Sequence, residues 1–298
     1  MTVQRSQARR RPGFTLVEVL IAVVLTAVVG AAVTSVFVNQ SAFYDTQTQM
    51  TEARSVSRAA VNMLTRELRS VDTTIGIEGA SPDTIRVKMP FAMGLACGVA
   101  ASGRLHVSLF PVDSVVLANA RQAITNTSGS GGGYAWRDPA TGVYDAESIG
   151  GNGVAVVAAS TRCVTAQVAT TFSDMSTRAR IVEVQAPSGS VPDAVPVMLF
   201  LKVAYFFAPS ELVPGSRGLY RQVAGMAREE LAAPFDASAR FRFYPVGSAT
   251  AQDAPPSPIS NLRGIELSFV GRSDRPDADG THRETPLTTA IFFRNRID

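Results

Sequence analysis

The hydrophobic pattern divides this chain into one long helix and a series of short strands. Residues 14–38 are apolar apart from a single charged side chain, Glu18. As a helix this segment extends about 37 Å, at about 1.5 Å per residue, enough to cross a bilayer core of about 30 Å. The pattern therefore predicts a membrane-spanning helix that carries one acid close to its start.

The helical periodicity continues beyond the apolar segment, as far as residue 71. Small and apolar residues recur there at steps of three and four, which places them on one side of a helix. No proline interrupts residues 14–71. We therefore predict one continuous helix, membrane-embedded over residues 14–38 and amphipathic over residues 39–71. The stripe consists of Met50, Ala53, Ser57, Ala60, Leu64, Leu68 and Val71.

From residue 84 the pattern changes to short apolar or alternating runs, separated by Gly, Pro, Asp and Asn. The run at residues 197–207 is apolar almost throughout, which predicts a central strand. A second membrane span is the alternative, but the run is too short for one and contains Lys202. We infer an α+β fold in which the long helix packs on an antiparallel sheet, with residues 72–298 as one β-rich domain. The predicted strands are 84–89, 104–110, 154–159, 164–170, 179–185, 197–207, 218–223, 240–244, 264–270 and 288–294.

Two polar stretches are predicted to be surface loops. Residues 126–133 are rich in glycine and serine, and they lack the Lys-Ser/Thr and the strand-to-helix setting of a phosphate-binding loop. Asp274, Asp277 and Asp279 precede Gly280 and form a weak calcium candidate, since carboxylates before a glycine are suitable Ca²⁺ ligands. The spacing fails the EF-hand register, so a solvated hairpin loop is the preferred interpretation, with no metal.

The distribution of charge predicts the orientation of the helix. The chain has a net charge of +3, but residues 1–13 contain four arginines and no acid, which leaves −1 for the remainder. A basic segment before an apolar helix keeps the N-terminus in the cytoplasm and sends the following residues across the membrane. The leader lacks the apolar core of an ordinary secretory signal. In the inner membrane of a bacterial envelope, this orientation places the C-terminal domain in the periplasm or beyond.

Chemistry-bearing residues are few. Cys97 and Cys163 are the only cysteines, and an oxidising compartment permits a disulfide between them, with two buried thiols as the alternative. His106 and His282 are the only histidines, and neither lies in a recognisable catalytic motif. His106 is predicted to be a surface or cross-strand residue. We therefore assign no catalytic residue, cofactor or enzymatic activity.

Nucleic-acid binding is not favoured either. The chain beyond the leader is close to neutral, and it has no basic stripe with interleaved aromatic residues. Residues 240–244 alternate basic and aromatic side chains, which a half-exposed strand explains.

The sequence of residues 13–18, Gly-Phe-Thr-Leu-Val-Glu, resembles the processing site of type IV prepilins and of the related pseudopilins of type II secretion. The resemblance implies that prepilin peptidase cuts after Gly13 and methylates the new N-terminus at Phe14. It also implies that Glu18 pairs with the N-terminal amine of a neighbouring subunit during filament assembly. Residues 1–13 are then the cleaved leader.

Shorter segments near the C-terminus resemble PilW-type minor pilins and, less closely, GspJ-type minor pseudopilins. The implied function is a minor pilin that is assembled into a type IV pilus or primes its assembly. Its partners are then prepilin peptidase, other major and minor pilins, the inner-membrane assembly platform and the lipid bilayer. Alternatives are a type II secretion pseudopilin, a tip adhesin or DNA-contacting pilin, and a membrane-anchored envelope enzyme. The resembling segments are residues 65–69, 203–205, 218–221, 265–270 and 292–295.

Overall fold

A computed structural model shows the long N-terminal helix followed by one antiparallel sheet, as the α+β prediction requires. It describes residues 15–72, 75–110, 114–150, 153–157, 163, 180–273, 276 and 280–293. The helices are α1 (Leu16–Leu68) and α2 (Ser114–Asn126). The strands are β1 (Ile77–Ser81), β2 (Thr84–Val99), β3 (Arg104–Leu109), β4 (Gly132–Arg137), β5 (Tyr144–Ser148), β6 (Ala155–Val157), β7 (Arg180–Gln185), β8 (Pro196–Pro209), β9 (Arg217–Val223), β10 (Glu229–Phe235), β11 (Arg240–Pro245), β12 (Leu262–Arg272) and β13 (Glu284–Phe292).

Strands β2 and β8 form the centre of the sheet. They pair antiparallel from Thr84↔Phe206 to Leu95↔Pro196. The outer edge of β8 carries β4 along its first half and β9 along its second half, so the predicted central strand at residues 197–207 is confirmed. On the side of β9 the sheet continues through β10 and β12 to β11, and on the side of β2 it continues through β3 and β7 to β6.

The hydrophobic core has two parts, which share the central ladder. The proximal core contains the C-terminal half of α1 and the second half of β8, including the buried aromatic side chains of Tyr205 and Phe207. The distal core contains α2, β4 and the first half of β8, including Tyr134 and Val197. Leu201 packs against both cores. The two cores thus form one continuous domain around a single pair of long strands.

The predicted amphipathic stripe is the face of α1 that packs on the sheet. Ala53, Ser57, Ala60, Leu64 and Leu68 are its buried residues. The helix packs tightly on the sheet at Gly271 of β12, where a side-chain methyl group would overlap Ser57 Oγ and lie 2.5 Å from the carbonyl oxygen of Ala53. Small residues on both surfaces therefore allow the helix backbone to approach the strand.

The predicted flexible loop at residues 126–133 is correct as a connection only at residues 127–131, which form a turn, and it is wrong at both ends. Helix α2 extends to Asn126, and Gly132 and Gly133 begin the buried strand β4. A methyl group on Gly133 would overlap the ring of Phe200, and Gly129 has a φ of 85° and lies against the carbonyl group of Gly150. Close packing requires glycine at these positions. A glycine-rich composition is the same in a flexible linker and in a tightly packed segment, so composition alone does not distinguish them.

Four strands and one helix were not predicted. Strand β10 contains alanines and Pro234, which have low strand propensity, and it is ordered by pairing with β9 and β12. Strand β5 is mostly exposed and is ordered by its hairpin with β4. Strand β1 pairs with β2, and β4 pairs with β8. The predicted strand at residues 164–170 lies outside the described residues.

Candidate functional site

The described chain begins at the residue that caps α1. Thr15 has an extended backbone, with φ −79° and ψ 150°, and the backbone N–H of Glu18 donates a hydrogen bond to Thr15 Oγ1 at 3.3 Å. The spacing Thr-x-x-Glu is that of a capping box, and a carboxylate in the first turn also interacts favourably with the helix dipole. Thr15 was not predicted as a helix cap, although the Thr-x-x-Glu spacing in the sequence indicates one.

The two residues of the predicted cleavage site, Gly13 and Phe14, lie outside the described residues, as does the basic leader. Glu18 is exposed on the first turn of α1. The processing site is therefore defined here by its sequence and by the helix that begins immediately after it.

The first half of α1 is an apolar surface that the rest of the domain does not cover. Every residue from 15 to 45 is exposed, and an 18-residue window of the helix has a mean hydropathy of 2.7 with none of it buried. Three of its hydroxyl groups donate to carbonyl groups of the same helix: Thr26 Oγ1 to Ala22 at 2.7 Å, Thr34 Oγ1 to Gly30 at 2.8 Å and Ser35 Oγ to Ala32 at 2.8 Å. Length, apolarity and internal hydrogen bonding are what a bilayer-spanning helix requires.

Gly30 lies in the middle of this surface without interrupting the helix. Residues 16–68 are helical throughout, and a methyl group placed on Gly30 would meet nothing within 4 Å. None of the residues that the structure describes therefore requires a glycine at that position.

An aromatic pair marks the end of the apolar half. Phe43 is 60% and Tyr44 is 68% exposed, and their ring centroids are 6.3 Å apart. Aromatic side chains of this kind favour the interface between bilayer and water, and Asp45 follows them directly. Thr46 is the first residue of α1 that is not fully exposed, so burial along the helix begins only beyond this pair.

The two cysteines form a disulfide in the structure. The Cys97 and Cys163 sulfurs are 2.04 Å apart, and the bridge packs with Leu95 in a small buried cluster. It links β2 to residue 163, 66 positions along the chain. The bridge lies in the distal part of the domain, away from the N-terminal motif, so its contribution is to stability.

The calcium candidates Asp274, Asp277 and Asp279 lie outside the described residues. The residues on either side are described: Ser273 N–H donates to the Arg283 carbonyl oxygen, and Arg283 N–H donates to Ser273 Oγ. His282 Nδ1 is 2.8 Å from the Ser273 carbonyl oxygen. Within the described ranges, no group of three or more His, Cys, Asp or Glu side chains is arranged to hold a metal ion.

The remaining polar candidates are engaged in contacts within the sheet. His106 lies opposite Glu183 on β3 and β7, with His106 Nε2 and Glu183 Oε1 2.7 Å apart, which confirms the cross-strand prediction.

Arg242, in the alternating strand β11, is 2.7 Å from a carboxylate oxygen of the buried Glu266. The other Glu266 oxygen accepts from Tyr244, and this hydrogen bond, with burial, raises the pKa of Tyr244. These contacts neutralise the basic face of β11.

A second missed residue is Glu230, which organises the loop between β8 and β9. Its carboxylate accepts hydrogen bonds from the Ser210 and Tyr220 hydroxyl groups and from the backbone N–H groups of Glu211 and Leu212. Burial alone would raise the pKa of the Glu230 carboxyl, but the hydrogen bonds from Ser210, Glu211, Tyr220 and Leu212 outweigh it and hold the pKa below its ordinary value. Tyr220 lies in the segment 218–221, one of those that resemble minor pilins, and its hydrogen bond to Glu230 gives it a structural role.

Comparison with known families identifies one feature. A profile of the prokaryotic N-terminal methylation motif matches residues 8–34. Neither the curated proteins nor the solved structures contain a match to the chain. The matched segment includes the predicted cleavage site, Glu18 and the first part of α1.

The motif implies processing by prepilin peptidase and assembly with other pilins, and the apolar helix supports anchoring in the inner membrane. It suggests a structural protein rather than an enzyme. The sequence motif and the uncovered apolar helix that follows it together support a type IV prepilin-like protein, that is, a pilin or a pseudopilin.

Proposed function

We propose that this chain is a minor pilin, which is processed by prepilin peptidase and then assembled into a type IV pilus or used to prime its assembly. One observation carries the proposal: the methylation motif at residues 8–34 runs directly into an apolar helical surface that the chain's own domain leaves uncovered. A bilayer first, and a bundle of like helices afterwards, would bury this surface.

The proposed sequence of events starts with insertion of residues 14–38. The leader arginines hold the N-terminus in the cytoplasm, so the domain that follows is periplasmic. Prepilin peptidase removes residues 1–13 and methylates the new N-terminus at Phe14. The assembly platform then transfers the subunit from the membrane to the base of a growing filament.

Glu18 is the proposed assembly residue. An ionised carboxylate within a membrane span costs about 2.5–3.5 kcal/mol on insertion scales, and the described residues provide no basic partner for it. The amine of Phe14 on a neighbouring subunit would neutralise this carboxylate, so that assembly relieves the cost.

The large β-rich domain at residues 72–298 favours a position at or near the filament tip, because a bulky subunit is difficult to repeat along a shaft.

Processing is tested by replacing Gly13 with valine. We expect full-length precursor in the membrane fraction, whereas the unmodified chain should begin with N-methylated Phe14 in mass spectrometry of the intact protein. Gly189→Val is the matched control, since Gly189 is exposed and a methyl group there would meet nothing. Normal trimming of Gly13→Val would refute the cleavage assignment, and an uncut unmodified chain would favour a membrane-anchored protein of another kind.

Assembly is tested by Glu18→Ala. We expect normal processing but at least a tenfold loss of the protein from sheared pili, measured by immunoblot against the membrane-bound pool. Glu52→Ala is the control, because Glu52 is also exposed on α1 but lies beyond the apolar half. Equal incorporation of the two variants would contradict the role of Glu18.

A further inference from the structure

Strand β13, at the end of the sheet, has one backbone edge that no other strand covers within the described residues. It pairs with β12 over its whole length without a register shift. Phe293 N–H donates to the Arg263 carbonyl oxygen, so the alternation of an antiparallel ladder directs the odd-numbered residues to β12 and the even-numbered residues outward. The outward backbone groups therefore include the N–H and C=O of Thr288, Ala290 and Phe292.

This edge lacks the usual protection along most of its length. Exposed edges are normally protected by charged residues, prolines or bulges. On β13 these devices are confined to the start of the strand, where Glu284 forms an ion pair with Arg272 and Pro286 occupies an outward position. Residues 287–293, Leu-Thr-Thr-Ala-Ile-Phe-Phe, contain no charge, proline or glycine, and most of them favour strands. The edge is therefore suited to accept one further strand.

Two arginines of α1 lie on the side of the helix that is above β13. Strands β10 and β13 both pair with Gly271 of β12, one on each side, at the point where α1 packs on the sheet. Val56 lines a cleft with Pro234 of β10, so its face of the helix is the one above β10. Arg54 and Arg58 each lie two residues from Val56, which directs them about 160° away from it in a helix of about 3.6 residues per turn.

The charge of these arginines is not compensated by the domain. Both are exposed, and within the described residues neither forms an ion pair or a side-chain hydrogen bond. Their spacing of four residues places like charges next to each other on one helix face, where they repel. On the other face of the sheet, the guanidinium of Arg263 lies 4.9 Å from the ring centroid of the exposed Phe292. Basic groups therefore flank this edge on both faces, and they complement an acidic strand.

The direction of α1 argues against a second copy of this chain as the occupant. The helix contacts β10, β12 and β13 and therefore lies across the face of the sheet. Antiparallel pairing of β13 with β13 of a second copy requires a two-fold axis perpendicular to the sheet. Such an axis reverses the direction of α1, so the two apolar halves would point in opposite directions. In the membrane orientation of the proposed function both copies enter the same bilayer, which excludes this pair.

We propose that the edge of β13 from Leu287 to Phe292 accepts an extended acidic segment of another protein as an added antiparallel strand. Main-chain hydrogen bonds to the outward groups of β13 hold the segment, as in other cases of strand addition. Arg54 and Arg58 select for carboxylates on its helix-facing side. The edge thus gives the domain a contact with a partner that is independent of the N-terminal half of α1.

The test uses the full, unprocessed chain in detergent and two fluorescein-labelled peptides of equal length, one alternating glutamate with threonine and the other alternating lysine with threonine. Fluorescence anisotropy measures their binding. Ala290→Pro removes an outward N–H group, and Ala290→Thr is the matched control, since it keeps that group and favours a strand. Arg58→Glu reverses one of the two charges, and Arg121→Glu makes the same change at an exposed position of α2. Near-UV circular dichroism checks that each variant is folded.

We expect the glutamate peptide to bind at least tenfold more tightly than the lysine peptide. Ala290→Pro should weaken its binding at least tenfold and Arg58→Glu at least fivefold, whereas Ala290→Thr and Arg121→Glu should change it less than twofold.

Absence of binding, or binding that folded Ala290→Pro retains, would overturn the proposal. If Ala290→Pro does not fold, Arg58→Glu still decides, because unchanged binding by that variant removes the acidic selectivity. A dimer of the full chain that sediments as such and is lost in Ala290→Pro would assign the edge to a second copy instead. None of these results depends on cleavage at Gly13, so failure of the processing test leaves the edge contact standing, and the reverse also holds.

Discussion

The two halves of α1 have the same backbone but opposite environments. Residues 16–38 are exposed at every position, whereas residues 50–68 bury a stripe of five side chains against the sheet. The apolar half has the greater hydrophobicity and the smaller burial. Hydrophobicity alone therefore does not build the core of this domain, because a helix face contributes to the core only where its small and large residues fit the strands beneath.

The two halves of α1 are also stabilised by different surroundings, one by the folded domain and the other by what lies outside the chain. The packed half is stabilised by the domain, so substitutions there should change its free energy of unfolding. The apolar half is stabilised by whatever surrounds it outside the chain, which should make the folded domain insensitive to changes there.

The largest expected effect comes from the same leucine truncation in each half. Leu64→Ala removes a fully buried side chain from the proximal core and should lower the free energy of unfolding by about 2–5 kcal/mol. Leu25→Ala, at a position that is 60% exposed, should leave it unchanged within about 0.5 kcal/mol. Denaturant unfolding of the full chain in detergent, followed by the fluorescence of Trp136, measures both. Equal effects would contradict the division of the helix.

An intermediate effect is expected from the same glycine substitution in each half. Gly271→Ala places a methyl group against Ser57 and the Ala53 carbonyl, so overpacking should destabilise the domain by about 1–3 kcal/mol. Gly30→Ala meets nothing and improves helix propensity by about 1 kcal/mol, without altering domain unfolding. Thermal unfolding monitored by near-UV circular dichroism distinguishes them. A neutral Gly271→Ala would mean that the helix sits farther from β12.

The smallest effect concerns two glutamates. The lowered pKa of Glu230 means that its carboxylate stabilises the folded state above its unfolded pKa of about 4.5, and that this contribution is lost as the pH falls below that value. Glu230→Gln should lower the free energy of unfolding by about 1 kcal/mol at pH 7. Because glutamine does not titrate, the free energy of unfolding of this variant should fall less steeply than that of the unmodified chain between about pH 5 and pH 3. Glu18→Gln, at an exposed position of the apolar half, should leave the free energy of unfolding of the domain unchanged. Urea midpoints measured across this pH range provide the check, and identical curves for the Glu230 variant and the unmodified chain would count against its role.

Much of the architecture was predictable because each pattern had a local cause. The stripe of α1 follows from its period, and the central strand follows from an apolar run too short for a membrane. Strand β10 was not predictable, because its alanines and Pro234 become a strand only between β9 and β12. The strand position of Gly133 was not predictable for the same reason, because it depends on close packing against Phe200 and Glu147, which are distant in sequence.

The sequence alone is enough to predict the long helix, its apolar and amphipathic halves and the motif around Gly13, Phe14 and Glu18, because these depend on residues within a few helical turns of one another. The folded structure adds which strands pair, where Gly271 admits the helix and how Glu230 holds the loop that carries Leu212. Those features depend on contacts between residues far apart in the chain, and no local pattern encodes them.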